Sequence, residues 1–268
     1  MSSRSIPFSR LMLAAVACLF FWSAALQAQD KKDTQARIQK KTYDFKEAGK
    51  EMEYALFVPS KYDKEKKTPL VVALHGLFST PQQIIRYPAL TDQAEKHGYI
   101  VVAPMGYNTS GWYGVDGPRF AKPKPENLSE LSEKDVMNVL AIARKDYNID
   151  ERRIYVMGHS MGGGGTIHLA LKYPEIWAAL GPLAPAIFGH KEEEVEKIKH
   201  IPVIMIQGDK DFLVPVAGPR RWAEAMEKAQ MKLEYMEIKG GGHVDVATEN
   251  IPAVFEFFNK HQKKAKDK

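Results

Sequence analysis

The chain has almost no cysteine: Cys18 is the single one in 268 residues. That excludes an internal disulfide framework and a cysteine-rich zinc module. It also lacks an apolar run of the about 20 residues that a membrane-spanning helix needs. The longest, Leu11–Leu26, falls short of that, and beyond it no apolar stretch comes close. Repeats and low-complexity segments are missing from the body. So is a basic stripe. The formal net charge is +5, but the positive excess sits at Lys31–Lys41 and Lys260–Lys268, and the long stretch between them is mildly acidic. A nucleic-acid groove needs basic charge concentrated on the folded body, so no nucleic-acid partner is expected.

The first residues have the pattern of an export signal. Arg4 and Arg10 precede the apolar run, and small residues at Ala25 and Ala28 offer two cleavage points. We expect a signal peptide over residues 1–28, a periplasmic or secreted mature protein, and no stable membrane insertion after cleavage. Residues 29–41 are too polar to pack and are expected to be a basic linker. A single domain is expected over 42–261, followed by a basic tail at 262–268.

Inside the body, short unbroken apolar runs alternate with helical patterns. Leu70–Leu74, Tyr99–Ala103, Ile154–Met157, Ala178–Leu183, Pro202–Gln207 and Leu233–Ile238 read as strands, and Glu53–Val58 precedes them. Runs of this kind mark strands buried on both faces of a sheet. Helices are expected at Ile84–His97, after Ser132, at Met161–Tyr173, at Pro219–Ala229 and at Asn250–His261. Ser132 with Asp135 three residues on reads as a helix-capping pair. The order predicts an α/β fold, a mostly parallel central sheet with helices on both faces.

Gly158-His159-Ser160-Met161-Gly162 matches G-x-S-x-G between an expected strand and an expected helix. That turn exposes a serine hydroxyl at the end of a sheet. A serine becomes nucleophilic only when a base takes its proton, and the base needs a carboxylate to fix its tautomer. Both belong on loops after later strands, in the order serine, acid, histidine. Gly208-Asp209-Lys210-Asp211 and Gly240-Gly241-Gly242-His243 stand at those places. His168, His190, His200 and His261 follow no core strand, which leaves His243 as the base. His159 reads as a local packing or substrate contact. Asp245 beside His243 does not make a metal site, because two ligands are too few.

Together with Leu74-His75-Gly76, these motifs resemble the α/β-hydrolase superfamily from about residue 52 to 260. Within it the chain is similar to secreted serine esterases of the polyhydroxybutyrate-depolymerase and feruloyl-esterase type. Dienelactone hydrolases and prolyl-oligopeptidase-type peptidases are similar in the same places. The resemblance implies a Ser160–His243–Asp211 triad, with Asp209 as the rival acid. It implies oxyanion amides at Met161 and at Leu77, or Phe78 beside it. It implies carboxylic ester hydrolysis through an acyl-enzyme, on small-molecule or polymeric esters, with no cofactor. A peptidase and a non-catalytic binding protein on the same scaffold are the alternatives. The segment Leu183–Ile201 is short for a cap domain, and Ala184–Phe188 is expected to form one wall of an open cleft. The long loop from residue 104 to 131 offers Tyr107, Trp112, Tyr113 and Phe120 as aromatic lining.

Overall fold

The structure, a computed structural model, describes residues 33–118 and 125–264. The expected signal peptide, Phe120 and the end of the basic tail lie outside the described residues. Residues 33–36 form a helical turn, and the body begins at Ile38.

Eight strands form one sheet in the order β1-β2-β4-β3-β5-β6-β7-β8. They are β1 (Gln39–Phe45), β2 (Lys50–Phe57), β3 (Thr68–Leu74), β4 (Ile100–Pro104), β5 (Ile149–His159), β6 (Ala179–Leu183), β7 (Val203–Gly208) and β8 (Leu233–Ile238). From β4 to β8 the pairs are parallel, and β1 and β2 run antiparallel at one edge. β1 starts at Gln39, inside the stretch expected to be linker. It is an edge strand with Phe45 as its one buried residue, so backbone pairing to β2 holds it and no apolar pattern marks it. Its lysines also discourage a further strand from adding at the edge.

All seven residues of β3 are buried. Leu70, Val72 and Leu74 face one apolar layer, with Val136, Val139 and Leu140. Val71 and Ala73 face the other, with Val254, Phe255 and Phe258. That alternation is the two-residue period of a strand covered on both sides. Helices α3 (Leu128–Asp146), α4 (Met161–Lys172) and α5 (Ala217–Lys228) cover the first face, and α2 (Leu90–His97) and α7 (Ile251–Asn259) the second. The short helices α1 (Pro81–Ile84) and α6 (Asp245–Glu249) complete the set.

Two expected helices differ from those observed. The run Ile84–His97 is broken, because Pro88 has no amide hydrogen to donate and Ala89 takes a left-handed conformation at φ 66° before α2 starts. α3 starts at Leu128, so Ser132 and Asp135 are inside it and do not cap it. Their buried side chains serve the long loop instead. Ser132 Oγ accepts from the Tyr113 amide at 3.0 Å, and Asp135 Oδ2 from the Gly106 amide at 2.6 Å.

The segment between β6 and β7 is tied down by a chain of polar side chains. Glu133 on α3 meets His168 Nε2 on α4 at 2.7 Å. His168 Nδ1 lies 2.9 Å from His190 Nε2, and His190 Nδ1 lies 3.0 Å from Glu194. Glu192–Ile198 is a 3-10 helix, and its Val195 and Ile198 are buried. These bonds dock a charged 3-10 helix whose Glu193, Glu196 and Lys197 stay exposed while Val195 and Ile198 face inward.

Candidate active site

β5 ends at His159 and α4 begins at Met161, so Ser160 makes the whole turn. Its φ of 58° and ψ of −115° are strained for a residue with a side chain, a cost of about 1–3 kcal/mol that its surroundings must impose. They do so through the backbone. The Ser160 amide donates to Leu183 O at 2.9 Å, and Ser160 O accepts from Gly164 at 3.0 Å and Ala186 at 2.9 Å. The flanking glycines let the strand and helix close. A Cβ on Gly162 would stand 2.2 Å from Leu74 O, and one on Gly158 2.3 Å from Gly162 O.

Ser160 and His243 line one cavity of about 880 Å³. His243 Nδ1 lies 2.7 Å from Asp211 Oδ2. The Asp211 side chain is wholly buried. Burial alone would raise its pKa, but the Val214 amide, His243 and Gln207 outweigh it and hold the carboxyl below its ordinary value. An ionised Asp211 keeps the proton on Nδ1 and leaves Nε2 of His243 free to accept one. Asp209, the rival, is spent elsewhere: its Oδ1 accepts from the Gly240 amide at 2.6 Å and pins the loop that carries His243. Asp245 does similar work on the Gly242 amide, at 3.0 Å.

Met161 is the first residue of α4, so its amide has no partner within the helix. Leu77 sits in the turn after β3, and Gly76 and Leu77 line the cavity. The neighbouring Phe78 amide donates to Thr109 O at 2.8 Å, which removes it as a donor to a substrate. His75, fully buried, braces this turn from within. Its ring nitrogens lie 2.8 Å from Gly76 O and 2.8 Å from Met105 O, and burial lowers its pKa.

The expected aromatic lining divides. Trp112 lines the cavity and meets Phe188 edge-on, with ring centroids 5.2 Å apart. Pro185–Phe188 forms a wall, as the sequence suggested. Tyr113 is wholly buried in the core, and its hydroxyl donates to His75 O at 3.1 Å. It supports the turn after β3 from behind and is not lining. Nor is Tyr107. Asp135 holds the amides of Gly106 and Tyr107, and the Tyr107 ring lies near Phe45 with Lys50 over its face. His159 does border the cavity, although its ring is buried and both its nitrogens have protein partners. Sequence reasoning missed Tyr87 and Gln207. Each sits outside any motif, and only the fold brings them to the site. Among the described residues, no group of three or more His, Cys, Asp or Glu could hold a metal ion, and no helix is long and apolar enough to cross a membrane.

A mostly parallel sheet with helices on both faces, and a strained serine at a strand-to-helix turn, define an α/β-hydrolase. The chain belongs to the Esterase family, whose model matches residues 46–249. It is 28% identical over 191 residues to cutinase 2 of Thermobifida cellulosilytica, covering 71% of this chain and 65% of that one. It is 32% identical over 126 residues to feruloyl esterase B of Neurospora crassa, covering 46% of this chain and 40% of that one. The chain therefore spans less than two thirds of the length of these relatives. Among solved structures it is similar to a thermostable esterase (TM-score 0.65, 26% identity, 85% of this chain and 64% of that one). A ferulic acid esterase of Anaeromyces mucronatus, solved with ferulic acid, shares the fold (TM-score 0.67, 20% identity, 84% of this chain and 90% of that one).

Proposed function

We propose that the protein is an exported serine hydrolase that cleaves carboxylic esters through an acyl-enzyme. The observation that carries this reading is a strained Ser160 lining the same cavity as His243, which a buried Asp211 holds. His243 Nε2 takes the Ser160 proton as Oγ bonds to the ester carbonyl carbon. The amides of Met161 and Leu77 receive the oxyanion. The carbonyl re-forms, the alkoxy C–O bond breaks, and the leaving oxygen takes the proton from His243. Water then gives its proton to His243 and attacks the acyl group. Ser160 leaves with that proton and the carboxylic acid is released.

The cavity is predominantly apolar, and Phe78, Phe188, Leu213 and Val244 line it while remaining exposed. This favours esters with an apolar or aromatic part over compact charged ones. The relatives named for cutin and feruloyl esters support the same class of substrate. The export reading rests on the residues before Gln29.

The test is a panel of p-nitrophenyl acyl esters beside aminoacyl p-nitroanilides. We expect turnover of the esters, abolished by Ser160→Ala. Preference for the anilides would replace the esterase reading with a peptidase. Turnover of neither would favour a binding protein on this scaffold.

A further inference from the structure

His159 is the residue before the nucleophile, yet its side chain reaches the loop of the base. Its Nε2 lies 2.9 Å from the backbone carbonyl of His243, and its Nδ1 lies 2.7 Å from the Tyr87 hydroxyl. A carbonyl oxygen only accepts, so Nε2 carries a proton. Burial, and after it the neighbouring His243, pushes the His159 pKa down to about 4, so the ring is neutral at working pH and has that one proton. Nδ1 must then accept, and Tyr87 must donate. Burial pushes the Tyr87 phenol up to about 12, so it has the proton to give. One tautomer and one direction satisfy every partner.

We propose that His159, oriented by Tyr87, is a positioning residue that anchors the backbone of His243 and so sets where the imidazole stands against Ser160. The proposal rests on reading Ser160, His243 and Asp211 as the triad. His243 closes the run Gly240-Gly241-Gly242, which is short of side chains to pack. That loop has other ties: Asp209 to the Gly240 amide, the Lys210 amide to Gly241 O at 2.9 Å, and Asp245 to the Gly242 amide. All of them end before His243. Asp211 fixes one ring nitrogen, but a ring held at one atom still pivots about that bond. The His159 bond fixes the other end of the residue, its backbone. It also joins the nucleophile's neighbour to the base through a single side chain, without the detour through β6, β7 and β8. A misplacement of about 1 Å at such a site costs on the order of a hundredfold in rate. A neutral His159 suits the place as well. Its ring centroid is 4.7 Å from that of His243, and a charge there would oppose the imidazolium that forms during catalysis.

The experiment uses the full chain and four variants: Tyr87→Phe, His159→Phe, His159→Gln and the double variant Tyr87→Phe/His159→Phe. It measures kcat and KM on an acetyl and an aryl ester. It also measures the rate at which a fluorophosphonate labels Ser160, a step in which Oγ bonds to phosphorus and fluoride leaves. Thermal midpoints monitor folding. We expect His159→Phe to lower kcat and the labelling rate about 10- to 100-fold, equally for both esters, with KM within about twofold. His159→Gln, which keeps an N–H donor, should recover part of the loss. Tyr87→Phe, the mildest change to the fold, should cost about 3- to 10-fold alone and almost nothing once His159 is Phe, because the pair acts as a unit. A folded His159→Phe enzyme with kcat within twofold of the parent would overturn the proposal. So would a loss confined to KM or to one ester, which is the mark of a substrate contact, or full additivity of the two losses. These outcomes are separate from failure of the triad reading, which would appear as activity surviving in Ser160→Ala or Asp211→Asn.

Discussion

Asp209 and Asp211 are two residues apart, chemically identical, and set to different work by the atoms they face. Asp211 lies beneath the imidazole with four hydrogen-bond contacts: His243, Gln207 and the amides of Leu213 and Val214. Asp209 holds the amide of Gly240. Asp211→Asn should therefore lower kcat by a thousandfold or more, since it favours the wrong His243 tautomer. Asp209→Asn should cost much less, because an amide oxygen still accepts from Gly240. Steady-state kinetics on one p-nitrophenyl ester decides this, and the reverse order would exchange their roles. Ser160→Ala should leave less than about a thousandth of the parent kcat with the thermal midpoint preserved. The serine, the histidine and the pair of aspartates were legible in sequence, because motif and strand order fix where such groups stand. Tyr87, Gln207 and the bond from His159 to His243 were not. They depend on side chains meeting across the fold, and no spacing along the chain encodes that.

Among the elements, α4 and the long loop show most clearly what a local pattern conveys. Four glycines open α4, and each leaves room for a close neighbour that a side chain would exclude. Gly162 meets β3, and Gly164 faces the cavity wall: a Cβ there would stand 2.1 Å from Ala186 O. Helix and wall are thus fitted together, and the wall carries Phe188 against Trp112. The loop aromatics could not be sorted by composition. Residues one apart, Trp112 and Tyr113, point to the cavity and to the core. Consecutive left-handed conformations at φ 57° and 52° turn the chain between them. Trp112→Ala should accordingly lower the preference for an aryl over an acetyl ester several-fold, as a ratio of kcat/KM. An aromatic contact of this kind contributes about 0.5–1.5 kcal/mol beyond its area. Turnover of the acetyl ester should barely change. Equal losses on both esters would make Trp112 a structural support and not a substrate contact.

For the molecule as a whole, the sheet and its two covered faces were legible because buried parallel strands need unbroken apolar runs. β1 was not, since an exposed edge strand carries no such signature. Polar links between elements were equally hidden, among them the chain through Glu133. Burial works to raise the pKa of that carboxyl, but His168, Lys172 and Tyr173 together bring it from 4.5 down to about 2. A carboxyl with a depressed folded pKa stabilises the fold fully above its unfolded value and loses that contribution as pH falls through the folded one. The window here runs from about pH 4.5 down to about pH 2. Glu133→Gln removes the charge that these groups share, although its amide oxygen still accepts one of the bonds, and a hydrogen bond to a charged group contributes about 1.5–3 kcal/mol. The variant should therefore unfold at clearly lower denaturant concentration than the parent at pH 7. The gap should hold down to about pH 5 and narrow steadily below pH 4.5, as the parent's Glu133 takes up its proton. Denaturant titrations of both proteins across that range provide the check. A gap independent of pH would mean that Glu133 contributes through shape and not through charge. The three elements it joins, α3, α4 and the segment behind the cavity wall, would then be held by apolar packing alone.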